Sequence, residues 1–232
     1  EMIGNIAHQW RQPINALALL LTNISDARQY GELTRDYLDA QVGKGHKLIQ
    51  RMSSTIDDFR NFFRPNRQPQ PFLISSAVKA ALSIVESAFA NHHIGIVFTV
   101  RDEAVSDGFA NEYTQVLLNL LSNAKEAIEG RGRTPARVDI SLQADETVAR
   151  LTVRDNGGGI PADILPKIFD PYFTTRDHGT GIGLYMSKMI IETNMSGRIE
   201  AVNGDAGAQF TIVTPLAPGE KPSDGRNAEP VR

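Results

Sequence analysis

The chain has 232 residues, 41% apolar and 22% charged, with a formal net charge of −3 at pH 7. This balance excludes a strongly basic nucleic-acid binder and an acidic disordered chain, and the length allows one large domain or two small ones with cores of their own. There is no cysteine, so disulfides, thiolate metal sites and cysteine nucleophiles are excluded, and the absence fits a reducing, cytoplasmic setting.

The longest apolar run, Ala16 to Leu21, is far short of the roughly 20 residues of a spanning helix, so no membrane contact is expected of this segment. A helical pattern is already running at Glu1. This reads as a chain lacking its upstream part, where any membrane anchor would lie.

Ile3, Ile6, Trp10, Pro13, Leu17, Leu20 and Ile24 recur at alternating steps of three and four, as do Leu38, Val42, Gly45, Ile49, Met52, Ile56, Phe59 and Phe63. Such stripes belong to helices that pack in bundles. Asp26, Gly31 and Thr34 mark a loop over 26–34, and Pro13 is expected to kink the first helix. Two helices cannot bury both stripes, so the pattern predicts a homodimeric four-helix bundle. His8 falls outside the stripe and, taken alone, reads as a solvated surface histidine. Three prolines within Arg64-Pro-Asn-Arg-Gln-Pro-Gln-Pro71 then end the helix in a semi-stiff connector.

Beyond it, helical patterns over 76–91, 111–129 and 181–194 mix with strand patterns over 94–100, 138–142, 148–153, 199–202 and 209–213. The expected class is α+β: a two-helix hairpin over 1–64, a linker over 65–71, a two-layer α/β sandwich over 72–216 and a disordered tail over 217–232.

Three clusters in the second domain carry chemistry. Asn119-Leu-Leu-Ser-Asn123 stacks two carboxamides on one helix face. Their oxygens suit Mg²⁺, though such a pair is also an ordinary polar helix side. Asp155-Asn-Gly-Gly-Gly-Ile160 follows a strand. The carboxylate can accept a hydrogen bond from adenine's amino group, where guanine would present a carbonyl; Gly157 and Gly159 permit close approach or positive φ. As a bare pattern it is also a turn. Gly179-Thr-Gly-Ile-Gly-Leu184 opens a helix with N–H groups suited to phosphate. Its spacing fits neither the dinucleotide-fold nor the P-loop signature.

In this order the clusters resemble the N, G1 and G2 boxes of the ATP-binding domain shared by sensor histidine kinases, gyrase and heat-shock chaperones. Phe169-Asp-Pro-Tyr-Phe-Thr-Thr175 looks like the F box of histidine kinases, and the segment around His8, Ile6-Ala-His-Gln-Trp-Arg-Gln-Pro13, looks like their H box. The resemblance covers about residues 1–216 and implies a dimerisation and histidine-phosphotransfer hairpin followed by a Bergerat-type ATP-binding domain. His8 would then be the phosphoacceptor, and neutral imidazole is well populated near pH 7. ATP is expected against Asp155, Gly157, Gly159, Phe169, Thr174, Thr175, Gly179, Thr180, Gly181, Gly183 and Leu184, with Mg²⁺ on Asn123 and Asn119. Arg176 and His178 are candidates for the γ-phosphate. The implied partner is the receiver domain of a response regulator, whose aspartate takes the phosphoryl group.

Three positions depart from relatives of this kind. Asn119 stands where gyrases and chaperones have a water-orienting glutamate, which argues against free ATP hydrolysis as the main activity. Gln9 replaces the acidic residue frequent after the phosphoacceptor. Its amide oxygen can accept the imidazole Nδ1–H but cannot take the proton. Gln12 occupies the position linked to phosphatase action. The alternative to a kinase is therefore a degenerate, dimeric ATP-binding module without efficient autophosphorylation.

Overall fold

A computed structural model of the chain describes residues 2–62, 68–132, 135–175 and 181–224, with side chains described except at 2–13, 47, 50–62 and 224. The chain divides between Arg67 and Gln68 into two compact units.

The first unit is a helical hairpin of α1 (Met2–Gln29) and α2 (Arg35–Phe62). Pro13 lies within α1 without ending it. The loop is shorter than the expected 26–34. α1 runs on to Gln29, Gly31 turns the chain at a φ of 74°, and the Thr34 hydroxyl accepts the Tyr37 N–H at 3.2 Å to cap α2. The stripes meet: a Cβ on Gly45 would lie 3.8 Å from Leu17 Cδ2. Ala27 and Gln41 are buried, while Ile14, Leu21, Val42 and Ile49 stay exposed. One hairpin buries only part of its apolar surface.

The second unit opens with β1 (Gln70–Leu73), α3 (Ile74–Asn91), β2 (Ile94–Val100), β3 (Asp102–Glu103) and β4 (Val105–Gly108). It continues through α4 (Ala110–Arg131), β5 (Ala136–Ala144), β6 (Val148–Asp155) and a 3₁₀ turn at Leu165–Lys167. α5 (Gly183–Met189), a π turn (Ile190–Asn194), β7 (Arg198–Asn203), β8 (Ala208–Pro215) and β9 (Ser223–Asp224) complete it. The main sheet runs β2-β5-β6-β8-β7 and is antiparallel except for the β2–β5 pair.

Strand alternation sends one row of side chains inward. In β6 the inward row is Ala149, Leu151, Val153 and Asp155; in β8 it is Ala208, Phe210, Ile212 and Thr214. Register aligns Ile140, Val153 and Phe210 across three strands, and Leu142, Leu151 and Ile212 beside them. On this face pack Val78, Ala81 and Phe89 of α3 and Val116, Leu117, Leu120, Leu121, Ala124 and Ile128 of α4. The opposite face carries Asp139, Arg150, Arg154 and Gln209. The result is a helical layer on one side of a mixed sheet.

Three expectations are corrected. Helix does not run from 181: Gly181 has a φ of 65°, so α5 starts at Gly183 and widens into a π turn that buries both Ile190 and Ile191. The linker expected to reach residue 71 ends earlier, because Gln70–Leu73 pairs antiparallel with β4. The tail is not free from 217. Ala217 is buried with its N–H bonded to Val105 O at 2.9 Å, and Ser223–Asp224 pairs with β3; residues 225–232 lie outside the described residues. Among the described residues no helix is long and apolar enough to cross a membrane.

Leu120 is fully buried under the sheet. Leu120→Ala should cost roughly 2–5 kcal/mol of unfolding free energy, read by urea denaturation; a loss under about 1 kcal/mol would mean that α4 does not carry this core.

Candidate functional site

A cavity of about 820 Å³ opens in the second unit between α4, the loop after β6, the segment before α5 and the start of β8. α4 supplies one wall. Its inward residues fix its rotation, which turns Asn119, Asn123, Glu126, Ala127 and Gly130 toward the cavity along one side of the helix. Asp155 enters as the last inward residue of β6, one alternation beyond Val153.

Asp155 is 5% exposed. Its Oδ1 accepts the N–H of Gly157 at 2.7 Å and of Ala208 at 3.3 Å, so Oδ2 is the oxygen these amides do not engage. Burial pushes the carboxyl above its usual range, and the backbone amides of Gly157, Ala208 and Asp155 itself pull part of the way back.

Glycines bring the walls together. A Cβ on Gly157 would lie 2.7 Å from the Ala127 carbonyl carbon, so only glycine lets this loop touch the α4 backbone. Gly158 and Gly159 have positive φ, with Gly158 N–H donating to Ala206 O at 2.9 Å. Gly207 abuts the Asp155 backbone carbonyl and Oδ1, where a side chain would collide. Gly181 lies equally close to Tyr172, whose N–H donates to Gly181 O at 2.9 Å.

The structure brings together Asn119, Asn123, Asp155, Gly157, Gly159, Thr174, Thr175, Gly181, Gly183 and Leu184 around this cavity. Two expected residues have different surroundings. Asn119 Nδ2 donates to Ser187 Oγ at 2.9 Å, and Asn119 Oδ1 abuts Gly183. This carboxamide ties α4 to α5. Phe169 does not line the cavity. It packs edge-on against Phe210 at 6.4 Å, with Lys188 Nζ 5.8 Å from its ring, and Phe173 and Phe210 form the aromatic lining instead. Arg176, His178, Gly179 and Thr180 lie outside the described residues. His8, Gln9 and Gln12 lie along α1 in the other unit.

Several residues were not foreseen. Glu126, Ala127 and Gly130 continue the asparagine row at helical spacing, a signal the sequence already held. Ile160, Ile164, Ile168 and Phe210 give the cavity its apolar side. Asn203 bonds the backbone of Ile160 from another strand, a contact no local pattern discloses.

Residues 108–218 match the model of the family described as histidine kinase-, DNA gyrase B-, and HSP90-like ATPase. The two-component sensor PprA of Pseudomonas aeruginosa is 32% identical over 224 residues, which is 94% of this chain and 24% of that protein. The chain thus spans about a quarter of that relative. The nucleotide-free catalytic domain of the histidine kinase ThkA superposes with a TM-score of 0.60 at 28% identity, over 66% of this chain and all of that one. ThkA in complex with the response regulator TrrA gives a TM-score of 0.68 at 22% identity, over 95% of this chain and 63% of that one, a likeness of fold.

The raised pKa of Asp155 has a stability consequence. A carboxyl that holds its proton more tightly when folded contributes most below its unfolded value, and the contribution falls as pH rises through the folded value. Asp155→Asn should therefore be at least as stable as the parent at pH 7 by urea denaturation, with the gap closing in acid. A loss above about 1 kcal/mol at pH 7 would contradict this.

Proposed function

We propose that the chain, whose residues 108–218 match the histidine kinase-, DNA gyrase B-, and HSP90-like ATPase family model, is the catalytic core of a two-component sensor histidine kinase. It would phosphorylate His8 from ATP and pass the phosphoryl group to an aspartate of a response-regulator receiver domain. The observation that carries the reading is a buried carboxylate, Asp155, at a cavity whose other wall is a row of carboxamides.

Asp155 Oδ2 is suited to accept a hydrogen bond from the adenine amino group, with Gly157 letting the base approach. The apolar side formed by Ile160, Ile168 and Phe210 suits the rings of a base. Asn123 and Asn119 are the expected Mg²⁺ ligands, each through its carboxamide oxygen; the bond from Asn119 to α5 uses Nδ2 and not that oxygen. Among the described residues no group of three or more His, Cys, Asp or Glu is placed to hold a metal. A sparse set of hard oxygens beside an anionic substrate fits an ion that keeps its waters and shares phosphate oxygens. When bound, Mg²⁺ supplies charge neutralisation at the phosphates.

The imidazole of His8 attacks the γ-phosphorus through a ring nitrogen. The N–P bond forms as the bridging O–P bond breaks, and the electron pair leaves with ADP. Gln9 can orient the ring but not take its proton, so the proton passes to water. In the second transfer an aspartate oxygen of the receiver domain takes the phosphoryl group and His8 regains a free nitrogen. The exposed Ile14, Leu21, Val42 and Ile49 support a homodimer through the hairpin, since a second copy would cover them. Gln9 is also the observation that favours the second reading, an ATP-binding dimer that signals without efficient autophosphorylation.

Incubation with γ-labelled ATP separates the two. The kinase reading predicts acid-labile label on the parent and none on His8→Ala; nucleotide binding without label would leave the second reading. Val42→Glu should shift the chain from dimer to monomer in light scattering after size exclusion, and an unchanged dimer would exclude this face as the contact.

A further inference from the structure

Asn203 is the last residue of β7, where it pairs with Ala208 of β8. Its side chain reaches across to the loop after Asp155. Oδ1 accepts the Ile160 N–H at 2.8 Å, and Nδ2 donates to the Ile160 carbonyl at 2.7 Å. One carboxamide thereby satisfies both backbone groups of Ile160, as a neighbouring strand would. The fit is close: a Cβ on Gly159, whose φ is 78°, would lie 2.8 Å from Asn203 Oδ1. Gly159 and Ile160 line the cavity, and Asn203 does not. The same β7–β8 turn takes the Gly158 N–H on Ala206 O and sends the Ala208 N–H to Asp155.

We propose that Asn203 is a positioning residue for the nucleotide, holding Gly158–Ile160 in the shape that receives it. The proposal rests on the ATP reading above. It acts through the loop backbone, so it governs binding and not the transfer step. Only a carboxamide of this length both accepts and donates here. Aspartate has the same shape, but it accepts one bond and sets a carboxylate oxygen against the Ile160 carbonyl.

The test uses the full chain with Asn203→Ala and Asn203→Asp. Both should raise the Kd for Mg-ATP about tenfold in calorimetry: alanine loses both hydrogen bonds, and aspartate loses one and sets two oxygens against each other. The KM for ATP should rise with Kd, while labelling of His8 at saturating ATP changes less than twofold. In nucleotide-free protein, amide exchange should accelerate at 158–160 and not elsewhere in the second unit. An Ala variant within twofold of the parent Kd, an Asp variant that binds like the parent, or faster exchange throughout the unit would each overturn the proposal. A parent that binds no ATP would instead sink the functional reading, and the exchange measurement would still decide whether Asn203 holds the loop.

Discussion

The site depends on keeping one carboxylate out of water. Asp155 continues the inward row of β6, so the alternation that buries Ala149, Leu151 and Val153 also buries a charge. Burial of an ionised carboxylate is unfavourable without hydrogen bonds to it, and the amides of Gly157 and Ala208 supply them. Those amides reach Asp155 only because Gly157 can touch α4 and Gly207 can touch Asp155 itself. Gly157 and Gly207 are thus tied to one buried charge. A rigid acceptor at a mostly apolar wall is what discrimination of a base's hydrogen-bonding edge requires.

The same argument separates what was legible in the sequence from what was not. The strand Ile94–Val100 has the bounds that its apolar, β-branched run suggests, and α4 extends the expected helix by one or two residues at each end. Both are long and strongly patterned. β1, β3, β4 and β9 are short and contain proline, glycine or acidic residues. They exist because distant partners present unpaired edges, which no local window contains. The tail was misjudged for the same reason. Its composition cannot build a core, yet Ala217 fills a place in one already formed.

At the site, clusters were readable where adjacent residues share a wall, as with the asparagine row and the glycine runs. Assignments within a cluster were not. The bond that sets Asn119 against Ser187 joins residues 68 apart in the chain. Phe169 and Phe173 lie in one short segment, and packing against Phe210 decides which lines the cavity. Asn203 stands 43 residues from Ile160, beyond any motif.

In the proposed reaction the two units divide the labour. The hairpin carries the nucleophile and exposes apolar surface that a second copy would cover. The α/β unit carries the cavity. Its central claim is that Asp155 reads adenine, and a crystal structure of the chain with a non-hydrolysable ATP analogue tests it most directly. The account predicts the adenine amino nitrogen within about 3.2 Å of an Asp155 carboxylate oxygen. Adenine bound with its amino group away from Asp155, or nucleotide found only outside this cavity, would contradict it.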